Sequence, residues 1–190
     1  CSREYLRLLR WDCCVSVDEL SHHTTHCLNA KAQWSDIKQK DILNLACEDC
    51  TLNCCTNGNN FVARGCRFLG YQDTLYTYGK YDEDGNFCRC SFFDCYIEGT
   101  TDFIFGSSIA WFENCEIHSL SDSYVTAAST IKGMPYGYVF KNCRLTAAPG
   151  VSKVYLGRPW RPNAKVVYID CELGSHIRPE GWHNWGNPAN

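Results

Sequence analysis

The sequence predicts an all-β fold, a right-handed parallel β-helix wound as a single-stranded solenoid, and two observations carry that prediction. A short pattern of apolar residues around a cysteine recurs at Cys66, Cys95, Cys115, Cys143 and Cys171, with separations of 29, 20, 28 and 28 residues. Helical periodicity is weak over the same region, and Gly and Asn punctuate the joins. Short strands repeated every ~20–30 residues mark coils that stack on one another. The hairpins of a sandwich would not preserve one register through so many repeats.

The elements follow in order. The repeated segments are Phe61–Phe68, Phe92–Ile97, Trp111–Ile117, Val139–Leu145 and Val167–Leu173. Alternation around each cysteine reads as one strand, with the cysteine and its i±2 neighbours on one face. The cysteine then acts as a small buried apolar residue, one per coil. Equivalent rungs would all compete to pair, so free thiols are expected rather than disulfides. A second strand is expected after each of the first four, at Asp73–Tyr76, Asp102–Phe105, Asp122–Val125 and Lys153–Leu156. Residues 77–91, with Asp82-Glu83-Asp84-Gly85-Asn86, read as a solvated loop that lengthens one coil, and their spacing is not that of an EF-hand. The organisation expected is an unassigned segment over 1–56, a partial first coil or cap, followed by the β-helix over 57–190. Tyr5, Leu6, Leu8 and Leu9 suggest the start of an amphipathic helix, with Arg3, Arg7 and Arg10 on other faces. His22, His23, His26, Cys13, Cys14 and Cys27 fit no standard zinc spacing, so no metal and no cofactor are expected.

Composition narrows the class. The 190 residues suit one domain, and no run of 18 apolar residues offers a membrane span. A net charge of −3 with 14% aromatic residues excludes a disordered chain. Fifteen cysteines cannot all pair, and eight of them crowd into the first 55 residues. Residues 130–190 hold eight Lys/Arg against three Asp/Glu, a basic flank suited to a polyanion. No concentrated basic stripe or reader motif points to nucleic acid.

The register locates candidate chemistry. Asp73 lies seven residues after Cys66, and Asp102 seven after Cys95. If the cysteines stack, the two carboxylates also stack, on adjacent coils about 5 Å apart. Like charges that close cannot both ionise freely, so one pKa should rise. One carboxylate can then serve as nucleophile or base and the other as acid. Asp122 stands at the same offset from Cys115, and Asp at such a place also simply shapes a turn. Gln72 can offer an amide N–H to an oxyanion. Arg158 can hold an aspartate bidentately. Tyr76, Phe105 and Trp160 can floor a sugar-binding groove, or merely pack.

Three blocks carry a resemblance. Gly70-Tyr71-Gln72-Asp73-Thr74-Leu75-Tyr76, Ile97-Glu98-Gly99-Thr100-Thr101-Asp102-Phe103-Ile104-Phe105-Gly106 and Leu156-Gly157-Arg158-Pro159-Trp160 resemble the signature blocks of pectin methylesterases, in the family's order. Pro179-Glu180-Gly181-Trp182 with Trp185 is similar to a later block. The likeness runs from about Asn57 to Asn187 and leans to bacterial members through Tyr76-Thr77-Tyr78-Gly79-Lys80 and Gly181-Trp182-His183-Asn184-Trp185-Gly186.

The resemblance implies a parallel β-helix, incomplete at both ends relative to the family, that demethylates homogalacturonan. It implies Asp102 as nucleophile, Asp73 as acid and then base, Gln72 as oxyanion donor and Arg158 as partner of Asp102. Tyr76, Phe105 and Trp160 would contact the polysaccharide. It implies pectin as the partner of a monomer, secreted or periplasmic although no signal peptide is visible, with no metal or membrane. The family's second oxyanion glutamine has no counterpart near Cys50, a loss of ~10²–10³-fold in turnover. The alternatives are a non-catalytic pectin-binding solenoid and a glycoside hydrolase, since carboxylates ~5 Å apart also suit a retaining mechanism.

Overall fold

The computed structural model describes residues 61–79, 81 and 85–188 in full, with the backbone of short strands at 9–13, 30–32, 44–46 and 54–56. β1 (Leu9–Cys13) and β2 (Ala30–Ala32) pair antiparallel. From β3 (Asn44–Ala46) and β4 (Cys54–Thr56) onward every strand pairing is parallel. Each coil then supplies three strands. The first is β5 (Phe61–Arg64), β6 (Arg67–Leu69) and β7 (Leu75–Thr77), and the second is β8 (Arg89–Phe93), β9 (Tyr96–Gly99) and β10 (Ile104–Gly106). Next come β11 (Ile109–Glu113), β12 (Glu116–Ser119) and β13 (Tyr124–Ala128), then β14 (Tyr138–Lys141), β15 (Arg144–Ala147) and β16 (Tyr155–Pro159). The last described coil adds β17 (Val166–Ile169) and β18 (Glu172–Leu173). Three parallel sheets result, in the orders β3-β5-β8-β11-β14-β17, β6-β9-β12-β15-β18 and β4-β7-β10-β13-β16. The fold is the all-β parallel solenoid that the repeat predicts, and no helix occurs among the described residues.

The strand drawn around each cysteine needs correction, because it is two strands in two different sheets. The residue before each cysteine (Gly65, Asp94, Asn114, Asn142, Asp170) has φ between 51° and 61°. That left-handed conformation suits Gly, Asn and Asp and turns the chain a corner. The corner shifts the alternation by one residue. Phe68, Ile97, Ile117 and Leu145, two positions after a cysteine, are buried as expected, but Arg64, Phe93, Glu113, Lys141 and Ile169, two before, are not. Their preceding neighbours Ala63, Phe92, Phe112 and Phe140 occupy the core instead, with Tyr168 packed against it. The rings of Phe92, Phe112, Phe140 and Tyr168 form a continuous stack at 4.7, 4.4 and 4.5 Å.

The ladder bonds survive the corner. The amides of Gly65, Asp94, Asn114 and Asn142 donate to carbonyls of the next coil at 3.0–3.1 Å. The cysteine closes the corner from inside. Each thiol of the ladder donates to the carbonyl two residues earlier at 3.2–3.4 Å. All five are free thiols, and Cys171 on the last described coil is less buried than the rest.

The second strands of these coils each begin two residues later than expected, at Leu75, Ile104, Tyr124 and Tyr155. Asp73 and Asp102 take φ of 58° and 51°, which no strand continues. In the long loop, Tyr81 and Phe87 form an antiparallel bridge. Asp82, Glu83 and Asp84 lie outside the described residues. So do His22, His23, His26, Cys14, Cys27 and the stretch around Cys50; of the Tyr5–Leu9 segment only Leu9 is described, as the start of strand β1.

Candidate active site

In-register pairing of β7, β10, β13 and β16 converts sequence offsets into columns. Leu75, Ile104, Thr126 and Gly157 share one rung position, facing inward. Tyr76, Phe105, Ala127 and Arg158 share the next, on the outer face. Two positions before the inward rung stand Asp73, Asp102, Tyr124 and Tyr155. Asp73 N–H donates to Thr101 O at 3.1 Å and Asp102 N–H to Tyr124 O at 2.9 Å, so both aspartates keep the ladder spacing through their left-handed turns. The carboxylates are therefore neighbours on adjacent coils, about 4.8 Å apart in the backbone.

The partners of the two carboxylates differ. Asp102 is buried, and Arg158 reaches back two coils to hold it, Nε to Oδ1 at 3.0 Å and Nη2 to Oδ2 at 2.6 Å. Between them in the outer column stands Ala127, whose methyl leaves the path open. Gly157 lets β16 lie close enough, since a Cβ there would fall 2.0 Å from Thr126 Oγ1. Gly106, at φ 122°, does the same behind Phe105, where a Cβ would meet Thr77 O at 2.1 Å. Asp73 is exposed and has its carboxyl raised above the usual range, first by desolvation and then by the charge of Asp102, with Arg158 opposing. One carboxylate is thus held as an ion pair while its neighbour is biased toward the protonated form.

The other expected site residues line the same face. Gln72 is exposed beside Asp73, its amide uncommitted among the described residues. Tyr76 and Phe105 stack at 4.6 Å and 16°, and Trp160 lies 6.0 Å from Phe105. Asp122 does not join the column, because Tyr124 occupies that place. Its carboxylate accepts the amides of Ser152 and Lys153 at 2.7 and 2.8 Å, and those bonds hold its pKa down. Among the described residues no group of His, Cys, Asp and Glu is arranged to hold a metal ion.

Sequence reasoning missed two members of the site. Tyr124 and Trp185 both lie against the Arg158 guanidinium, whose carbon is 4.0 and 3.7 Å from the ring centroids. Tyr124 was within reach of the register, being the residue of the third coil equivalent to Asp73 and Asp102. Trp185 arrives from a loop far along the chain, and no local pattern marks its contact.

Comparison with known proteins gives the same picture. The family model described as Pectinesterase matches residues 44–190. A second model, NAD-specific glutamate dehydrogenase, matches residues 1–73, less than half of the chain. Where the two overlap in the fully described region, β5 and β6 belong to the continuous parallel sheets. A probable pectinesterase A of Neosartorya fischeri is 45% identical over 130 residues, 66% of this chain and 38% of that protein. Pectinesterase 31 of Arabidopsis thaliana is 46% identical over 127 residues, 66% of this chain and 37% of that one. The chain thus spans less than two-fifths of the length of these relatives. The pectin methylesterase from Aspergillus niger superposes with a TM-score of 0.61 at 37% identity, covering 68% of this chain and 42% of its own. That from Yersinia enterocolitica gives 0.54 at 34%, covering 67% and 47%. A match over more than half of the chain, on an all-parallel solenoid with these blocks in order, makes this chain a member of the pectinesterase family.

Proposed function

We propose that the chain carries the catalytic groove of a carboxylic ester hydrolase that demethylates methyl-esterified homogalacturonan to pectate and methanol. The observation that carries this reading is the Asp73–Asp102 pair, with Arg158 clamping one member and the other raised toward protonation. Asp102 Oδ attacks the methyl-ester carbonyl, and the tetrahedral oxyanion takes a hydrogen bond from the Gln72 amide. As the C–OCH3 bond breaks, Asp73 gives its proton to the methoxide oxygen and methanol leaves an aspartyl anhydride. Asp73, now a carboxylate, accepts a proton from water that attacks the galacturonyl carbonyl. The C–O bond to Asp102 breaks, releasing the carboxylic acid, and Asp73 is protonated again.

Tyr76, Phe105 and Trp160 form the surface for the sugar rings. A pectin methylesterase solved in complex with a hexasaccharide matches this chain at 30% identity and a TM-score of 0.57, which supports an oligosaccharide in the equivalent groove. The Arg158 clamp and Gln72 disfavour a glycoside hydrolase, which needs neither an oxyanion donor nor an arginine on its nucleophile. A wall polymer as substrate supports a location outside the cytoplasm, secreted or periplasmic. No described helix is long and apolar enough to cross a membrane.

The test is incubation of the whole chain with highly methylated pectin, following methanol and reducing ends. Methanol without new reducing ends supports the esterase. New reducing ends identify a glycosidase, and retention on pectin without either product identifies a binding solenoid. Asp102→Ala retaining full methanol release would remove the assigned nucleophile.

A further inference from the structure

The loop that delivers Trp185 is built onto the strand that carries Arg158. Gly157 and Trp182 form a parallel bridge, Leu156 N–H donates to Gly181 O at 2.7 Å, and His183 N–H donates to Gly157 O at 3.1 Å. Trp185 then takes φ 57°, a conformation that a bulky side chain seldom adopts. His183 holds that turn, because its Nδ1 accepts the Trp185 N–H at 3.0 Å. The imidazole is itself wedged against Tyr124 and Tyr155, at 5.3 and 5.1 Å. Backbone strain of this kind persists only where the surroundings enforce it, and it concentrates at functional sites. Here the enforced turn ends with the indole ring 3.7 Å from a guanidinium that also lies over Tyr124 at 4.0 Å.

We propose that Trp185 is a positioning residue: with Tyr124 it fixes the plane of the Arg158 guanidinium so that Nε and Nη2 meet both oxygens of Asp102, and His183 sets Trp185 in place. The chemical consequence rests on the esterase reading, whereas the clamp rests on geometry alone. Without the indole, the guanidinium is free to tilt toward the loop side. Asp102 then keeps a positive neighbour but loses the two-point fork that orients it. Attack needs its oxygen aligned within ~3–3.5 Å of the carbonyl carbon, so misorientation falls on turnover more than on binding.

Two measurements on the full chain test this. In a 15N spectrum, the Arg Nε–H signal lost in Arg158→Lys belongs to Arg158, and its exchange with water reports the clamp directly. Trp185→Leu keeps apolar bulk without a ring face and should speed that exchange about tenfold, whereas Trp185→Phe should restore most of the protection. His183→Ala should fall between them. Exchange in Trp185→Leu as slow as in the unmodified chain, or in Trp185→Phe as fast as in Trp185→Leu, overturns the proposal. On methylated pectin, Trp185→Leu should lower kcat about tenfold with KM within about twofold. A raised KM at unchanged kcat would make Trp185 a sugar contact and overturn the positioning role. If the unmodified chain releases no methanol while the exchange contrast stands, the clamp is supported and the esterase reading alone fails.

Discussion

Replacing Arg158 by lysine keeps the charge beside Asp102 and removes the geometry. The Asp102 side chain is 8% exposed and that of Arg158 19%, so the pair is shielded enough for hydrogen-bond geometry to count. Lysine can reach one carboxylate oxygen at a time, which forfeits one charge-assisted hydrogen bond, ~1.5–3 kcal/mol. It also gives up the contacts of a planar guanidinium with Tyr124 and Trp185, a further ~1 kcal/mol. The expected loss is therefore about 3 kcal/mol, or about 10 °C in Tm for a chain of this size. Arg158→Gln strands a buried carboxylate and should cost more, ~3–5 kcal/mol. Adding Asp102→Asn to Arg158→Gln should recover most of that loss, because two neutral amides need no counter-charge. Urea unfolding of the parent, Arg158→Lys, Arg158→Gln and the double variant at pH 7 measures these differences. Arg158→Lys within about 0.5 kcal/mol of the parent would refute the reasoning and reduce the pair to an ordinary surface contact.

Three further outcomes are expected. Asp73 has a folded-state pKa above its ordinary 3.8, so its contribution to stability is full below that pH and is lost as pH rises through the higher folded value; Asp73→Asn should therefore be more stable than the parent at pH 7, with the gain vanishing below pH 3.8 in pH-dependent melts. Asp122→Asn should leave methanol release intact while Asp102→Asn abolishes it, since the Asp122 carboxylate accepts the Ser152 and Lys153 amides; the two rates side by side decide whether equal offset means equal role. Phe112→Ala removes the middle of a stack flanked at 4.7 and 4.4 Å and should cost ~3–5 kcal/mol by denaturant titration.

The cysteine spacing carried most of the fold because one buried thiol per coil is a strict spatial requirement, and strict requirements leave periodic marks. It also carried the Asp73–Asp102 pair, since parallel in-register strands turn equal sequence offsets into neighbouring positions. What it misjudged was local. Apolar alternation says which residues face the core but not where φ changes sign, so two strands on either side of Cys95 read as one. The missing signal stood in plain view: Gly65, Asp94, Asn114, Asn142 and Asp170 are all residue types that accept a left-handed turn. The aromatic contacts of Arg158 are different in kind. Trp185 lies 27 residues after the arginine and meets it only through the docking of its loop on Gly157, which no pattern within either segment encodes.

The turn-forming and catalytic readings of Asp73 and Asp102 looked like competitors in the sequence, and the backbone shows why they are compatible. Both residues occupy left-handed corners, where a side chain other than Gly, Asn or Asp would cost ~1–2 kcal/mol. A carboxylate is thus among the few side chains that such a corner tolerates and also one of the groups that ester hydrolysis needs. Held by the corner, each Cα direction is set by φ and by an amide bonded to the next coil, not by packing of a long flexible side chain. Asp is short, so little rotamer freedom remains between that fixed backbone and the carboxylate oxygens. Asp122 marks the limit of the device: on its coil the chain makes no left-handed turn at that position, and the same residue type at the same offset is spent on capping two backbone amides. Offset from the cysteine ladder therefore selects the coil position, while the sign of φ separates the two aspartates of the groove from the one that only holds a loop.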